Sequence, residues 1–247
     1  MAKSWGLNLH PDKCVALRFG RDLPPVGLYD QYYIGDSPIP FTSLSKDLGV
    51  LIDTKLKFHD HIRSVASKAG GVASNLLKST LCRSHEFMMT LYITHVRPLL
   101  EFSSVVWNSG YIGDIKLLES VQRRWTRNID GLGNLSYADR LSALDLFSVH
   151  GRLLRADLIE CWKIMHGVAP FDSTRLLQLA PVLGTRGHEF KLAHIRCSLE
   201  CRRRFFPVRV VGPWNSLPSA VAELSDLGAF KAALKESLGQ KLYDYYP

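Results

Sequence analysis

The chain has 247 residues, 46% hydrophobic and 22% charged, with mean hydropathy near zero, which is the makeup of a globular protein and excludes a disordered or fibrous one. No stretch reaches the roughly 18 uncharged apolar residues of a membrane helix, and the first residues lack the apolar centre of a secretion signal, so an intracellular protein, nuclear or cytoplasmic, is expected. A formal charge of +8, from 31 Lys and Arg against 23 Asp and Glu, favours a polyanionic partner if the basic residues cluster.

The first segment is rich in turn residues, with Pro11, Pro24, Pro25, Pro38 and Pro40 dividing short apolar runs at 15–19 and 48–52. Strands are expected there. From about Phe58 the period changes, and Ile62, Val65, Ala66, Ala69, Ala73 and Leu76 recur at threes and fours as in an amphipathic helix. A second helix starts at the N-cap candidate Ser84, with Phe87, Met88, Leu91 and His95 on one face, and Pro98 kinks or ends it. A third begins near Asp114; Ile115, Leu118, Val121, Trp125 and Ile129 form its apolar stripe, and Lys116, Arg123 and Arg127 its other face.

Ser136-Tyr137-Ala138-Asp139 has capping-box spacing before the next helix. A further helix carries Leu154, Leu158, Cys161, Trp162 and Met165 until Gly167 and Pro170 stop it. After Pro181 the residues 195–202 alternate apolar and polar, and 205–211 are β-prone, which predicts a two-stranded hairpin. A short helix at Trp214 and a last one around Phe230, Leu234 and Leu238 close the chain. Trp107, Trp125, Trp162 and Trp214 are expected in the core. The fold class read from this order is α+β, mainly α.

Five scattered cysteines, Cys14, Cys82, Cys161, Cys197 and Cys201, do not form a disulfide framework. His59 and His61 are two apart at a helix start and face different ways, as capping or solvated histidines do. His188, His194, Cys197 and Cys201 resemble a zinc set in composition, yet on one strand the two cysteines would stand about 13 Å apart. No nucleophile elbow, dinucleotide loop or phosphate-binding P-loop occurs. Basic residues do cluster. Between Arg186 and Arg209 seven Lys or Arg face two Glu, and Arg202, Arg203 and Arg204 adjoin Phe205 and Phe206. Charge beside aromatic rings is the makeup of a nucleic-acid surface, and Arg123, Arg124 and Arg127 around Trp125 repeat it.

The order of segments resembles the C-terminal portion of reverse transcriptases from non-LTR (LINE-type, jockey-like) retrotransposons. Trp5-Gly6-Leu7-Asn8-Leu9 with Pro11, Lys13 and Cys14 looks like the motif after the catalytic strand pair of the palm. Lys46-Asp47-Leu48-Gly49-Val50 with Asp53 and His61 looks like the last palm motif. Tyr92, Val96-Arg97-Pro98-Leu99-Leu100-Glu101 and Val106-Trp107 are similar to a thumb signature. Val121-Gln122-Arg123-Arg124, Leu135-Ser136-Tyr137, Asp157-Leu158-Ile159, Arg209-Val210-Val211 and Trp214-Asn215-Ser216-Leu217-Pro218 continue it.

The resemblance implies three regions: a palm-tail remnant at 1–56, a helical thumb-like domain at 57–170, and a basic C-terminal hairpin with helices at 171–247. Enzymes of the family are RNA-directed DNA polymerases that hold two Mg²⁺ ions on palm carboxylates, including an Asp-Asp pair. This chain contains no Asp-Asp pair, so a truncated, catalytically silent product with no cofactor of its own is expected. Lys13 matches a proposed general-acid position of the family and here has no leaving group to protonate. The partners expected are RNA, DNA or an RNA–DNA hybrid, bound weakly and without sequence preference through Arg123, Arg124, Arg127, Arg202, Arg203 and Arg204. Two alternatives are a structural or protein-interaction relic without ligand and a histidine-based metal-dependent hydrolase.

Overall fold

A computed structural model describes residues 10–20, 31–169, 176–181 and 188–246. They fall into two compact units, 1–61 and 62–247. The motif at residues 5–9, together with Pro24, Pro25, Pro170 and Arg186, lies outside the described residues.

The first unit holds two antiparallel hairpins. Strands β1 (Tyr32–Ile34) and β2 (Ser37–Ile39) pair with Tyr32 opposite Ile39, and β3 (Leu44–Asp47) and β4 (Val50–Asp53) with Leu44 opposite Asp53. Leu48 and Gly49 connect β3 to β4 with φ of 44° and 94°. Left-handed backbone at both central residues matches the twist of the flanking strands. The apolar run at 15–19 supplies one bridge, Ala16 to Phe41, rather than a strand. The Asp53 carboxylate accepts the backbone N–H groups of Lys55, Lys57 and Phe58 at 2.9, 3.0 and 2.7 Å, fixing the approach to helix α1 (His59–Ser79). His61 in the first turn of α1 is buried, not solvated, because its Nδ1 accepts the Leu51 N–H at 3.2 Å. Burial, then the Lys46 charge, lowers its pKa.

The second unit is helical. Ser84 precedes α2 (His85–Leu91), which runs into a π-helical turn (Tyr92–Val96) and then α3 (Arg97–Glu101). Pro98 follows directly on the π-helical turn, and the wide turn ahead of it relieves the clash of its ring with the preceding carbonyls. Of the expected face of Phe87, Met88, Leu91 and His95, Met88 is fully buried and Leu91 half-buried. The fully buried residues are Met88, Tyr92, Val96 and Leu100, while Phe87 and His95 face outward.

After α4 (Ser104–Trp107) comes α5 (Ile112–Thr126), with Ile115, Leu118, Val121 and Trp125 buried as its spacing predicts. Ser136 caps α6 (Tyr137–Ala143) by accepting the Asp139 N–H at 3.2 Å, and Ser148 caps α7 (Val149–Met165) by accepting the Gly151 N–H at 2.9 Å. These short polar side chains satisfy N–H groups that the first helical turn leaves without partners.

The hairpin expected at 195–211 is not formed. Residues 195–198 are irregular backbone that alternates toward and away from the core, with a single antiparallel bridge upstream, Leu179 to Leu192. The chain then turns helical in α8 (Glu200–Arg204), α9 (Phe206–Arg209) and α10 (Val211–Asn215). Glu200 pairs with Arg203 and Arg204 at i+3 and i+4, a spacing only a helix aligns, and Pro207 has no N–H for a ladder. Helices α11 (Ser219–Ala222) and α12 (Leu227–Leu238) and a closing 3-10 turn (Gly239–Leu242) complete the unit. Their Phe230, Leu234 and Leu242 join Trp162 and Trp214 in one core with α7. All four tryptophans expected inside are at most 2% exposed, and the α+β, mainly α class holds.

Candidate nucleic-acid interface

Arg123, Arg124 and Arg127 lie at the C-terminal end of α5, where the helix dipole favours cations. They are not equivalent. Arg123 is half-buried, its guanidinium 4.9 Å from the ring centre of Tyr137 and 5.4 Å from that of Tyr245, so its charge is spent on aromatic faces within the protein. Arg124 and Arg127 are exposed. Arg124 also borders a groove of about 440 Å³ between α1 and α5, walled by Arg63, Ser67, Gly70 and Ser74 of α1 and Ser120 of α5. No side chain projects from Gly70 or Gly71, and a Cβ at either would meet nothing within 4 Å.

The second set is carried by α8. Arg204 donates from Nε to Glu200 at 2.7 Å and from Nη1 to the Ser109 carbonyl at 2.7 Å, with its guanidinium 3.8 Å from the Tyr111 ring centre. Its donors are committed to structure. Arg203 is more than half exposed and leans on Glu200 at 3.5 Å. Arg202 is exposed and stacks over Phe205, itself 42% exposed, at 5.3 Å. Phe206 is buried instead, beside Arg209, which binds both Asp157 oxygens at 2.9 and 2.8 Å. Through Tyr111, α8 adjoins the N-terminal end of α5. At 1.5 Å of rise per residue α5 runs about 20 Å from that end to Arg124. Lys13 is exposed at the end of a 3-10 turn in the first unit.

Behind the α5 arginines lies a buried chain of hydrogen bonds. Arg152 Nη2 donates to the Tyr92 hydroxyl at 3.1 Å, and that hydroxyl donates to Gln122 Oε1. Gln122 Nε2 donates to the Tyr137 hydroxyl at 3.0 Å, and Tyr137 donates to Glu119. The Glu119 carboxylate then accepts the Val149 and His150 N–H groups, capping α7. Burial pushes the Tyr92 pKa up to about 12 and that of Tyr137 further, so both phenols stay protonated and can donate. The network fixes α5, α6 and α7 together and so sets where Arg124 and Arg127 emerge.

His188 is buried edge-on to Trp214, its Nε2 3.3 Å from the Trp214 carbonyl, and His194 is exposed. Among the described residues no three His, Cys, Asp or Glu side chains converge. Among the described residues there is thus no set of carboxylates that would hold two Mg²⁺ ions. The signal for Arg63 in the sequence is its spacing with Ser67, Gly70 and Ser74 at threes and fours, along the flank of the apolar stripe of α1.

Over 137 residues, 53% of the chain, it is 26% identical to a probable RNA-directed DNA polymerase from transposon X-element of Drosophila melanogaster. The chain carries a region similar to a transposon RNA-directed DNA polymerase. Over 113 residues, 44% of the chain, it is also 32% identical to an uncharacterized protein of Caenorhabditis elegans. The matches span 57% of the nematode protein and 14% of the fly protein. No family model and no solved structure matches the chain. No helix among the described residues is long and apolar enough to cross a membrane.

Proposed function

We propose that this chain is the nucleic-acid-holding, thumb-like part of a non-LTR (LINE-type, jockey-like) retrotransposon reverse transcriptase, and that it grips the sugar–phosphate backbone without transferring nucleotides. The observation that carries the proposal is the exposure of Arg124, Arg127, Arg202 and Arg203 on one compact unit, with Arg124 at the border of a groove between α1 and α5. Guanidinium groups on phosphates position a strand but do not read its bases, so RNA, DNA and an RNA–DNA hybrid are the expected ligands. Arg123 and Arg204 act inside this reading as positioning residues, holding Tyr137 and Tyr111 beneath the exposed set.

Fluorescence anisotropy of a labelled single strand and of an RNA–DNA hybrid, titrated at several KCl concentrations, tests the proposal. Each phosphate neutralised contributes about 0.7–0.9 to the slope of log K against log salt, so R124Q/R127Q/R202Q/R203Q should flatten it by about 3. An unchanged slope refutes it. Template-dependent primer extension with Mg²⁺ or Mn²⁺ should stay at the level of a no-protein control, because this chain has no Asp-Asp pair to hold the metals. A second reading, a structural relic that binds nothing, is favoured by the internal commitments of Arg123 and Arg204, and it predicts no salt-dependent binding at all.

A further inference from the structure

A pocket of about 340 Å³ opens between α3, the segment before α7, and α7 itself, walled by Arg97, Glu101, Phe147, Arg152, Arg155 and Ile159. Its charges do not balance. The one carboxylate among these six, Glu101, receives Arg97 Nε at 2.9 Å and Arg152 Nε as well. Arg152 is buried and fully used, since it also donates to the Phe147 carbonyl and the Tyr92 hydroxyl. Arg155 has no carboxylate. Its hydrogen bond among the described residues is from Nη2 to the Lys231 carbonyl at 3.4 Å, and its buried Nε has no partner. Burial and then the neighbouring Arg97 charge lower its pKa, and the Glu101 charge offsets this only in part. Asp145 also borders the pocket, but it is taken up by Lys235 at 2.9 Å and by the Tyr243 hydroxyl at 2.8 Å. Arg97, Arg152, Arg155 and Lys235 against Glu101 and Asp145 leave two positive charges.

We propose that this pocket binds a phosphate dianion, with Arg155 and Arg97 as its ligands. Two forks of guanidinium donors in a concave site suit the tetrahedral oxygens of phosphate, and the dianion cancels the surplus charge. Phe147 and Ile159 supply apolar walls that exclude water and strengthen the attraction. The same chemistry is offered by free phosphate and by the 5′-phosphate end of a nucleic acid.

The native chain is titrated with sodium phosphate against sodium chloride at matched ionic strength, following Tm. Binding to the folded state alone raises Tm by about 3–5 °C for each tenfold of phosphate beyond Kd. The shift should vanish in R155Q and weaken in R97Q while K55Q, at an exposed lysine outside both sites, keeps it. R155Q should fold at least as stably as the native chain in phosphate-free buffer, because it removes an uncompensated charge; circular dichroism confirms the fold. Equal shifts in chloride, or a phosphate shift retained in R155Q, would overturn the proposal. A short oligonucleotide with a 5′-phosphate, compared with its 5′-hydroxyl form, assigns the source: a larger shift with the phosphorylated form points to a nucleic-acid end, and equal shifts point to free phosphate. Because R155Q leaves Arg124, Arg127, Arg202 and Arg203 intact, failure here leaves the salt-slope test of the interface standing.

Discussion

Gly151, in the first turn of α7, lies directly under the closing 3-10 turn. A Cβ there would sit 2.2 Å from the Leu242 carbonyl oxygen and 2.6 Å from its carbon, and backbone cannot swing aside as a side-chain tip can. Gly151→Ala must therefore lift residues 239–246 off the helix. That breaks the bonds from Ser148 N and Oγ to the Leu242 carbonyl, at 3.0 and 3.2 Å, and from Ser148 Oγ to the Asp244 carbonyl at 2.6 Å. At about 1 kcal/mol each, two to three lost bonds cost about 2–3 kcal/mol. Exposing the fully buried Leu242 adds about 2 kcal/mol. Alanine's better helix propensity returns at most about 1 kcal/mol, leaving a net loss of about 3–4 kcal/mol. Urea unfolding at constant m measures it. Ser148→Ala acts on the same contact, so the double variant should lose less than the sum of the two. A Gly151→Ala protein within about 0.5 kcal/mol of the native one would refute the close approach.

Other outcomes follow from the same structure. Asp157→Ala leaves Arg209 without its bidentate partner in a site where Asp157 is 4% exposed, and urea unfolding should register a loss of about 3–5 kcal/mol; a loss below about 1 kcal/mol would contradict it. Gly71→Ala, mid-helix with open space around it, should raise stability by up to about 1 kcal/mol, and a lowered Tm would show that the groove wall is tighter than described. Burial holds the pKa of His61 and His188 below 6.5, so the unfolded chain takes up protons first. The stability of these neutral imidazoles is whole above about pH 6.5 and declines as pH falls below it. Tm should be lower at about pH 5.5 than at about pH 7.5, with a smaller difference in His188→Gln, and an equal difference in that variant would remove His188 from the account.

The helices α5, α7 and α12 were legible because their apolar residues repeat at threes and fours without a break, and the Ser136 cap because its chemistry is local. What stayed hidden depends on partners far along the chain. Arg123 and Arg124 are neighbours of identical chemistry. One is drawn inward by Tyr245, more than 120 positions away, and the other is left in water. Arg204 is captured likewise by Ser109 and Tyr111. The alternation at 195–202 is present as an inward and outward pattern, yet alternation alone does not supply a ladder partner, and Glu200 with its arginines turns the chain into a helix first.

The π-helical turn between α2 and α3 has a consequence for how this segment tolerates change. Met88, Tyr92, Val96 and Leu100 are spaced at intervals of four, and all are fully buried. In a regular helix each step of four overshoots a full turn by about 40°, so three steps would carry Leu100 about 120° around the axis from Met88 and out of the core. A turn closed from Arg97 N–H to the Tyr92 carbonyl, five residues back, winds more slowly and takes up part of that drift. The segment behaves as a vernier, two pitches matched over a short length. Removing one residue from 92–96 would close the wide turn to ordinary pitch and be absorbed there, because five residues of a π-turn and four of an α-helix sweep nearly the same angle, so Leu100 would stay at the core and Arg97 beside Glu101.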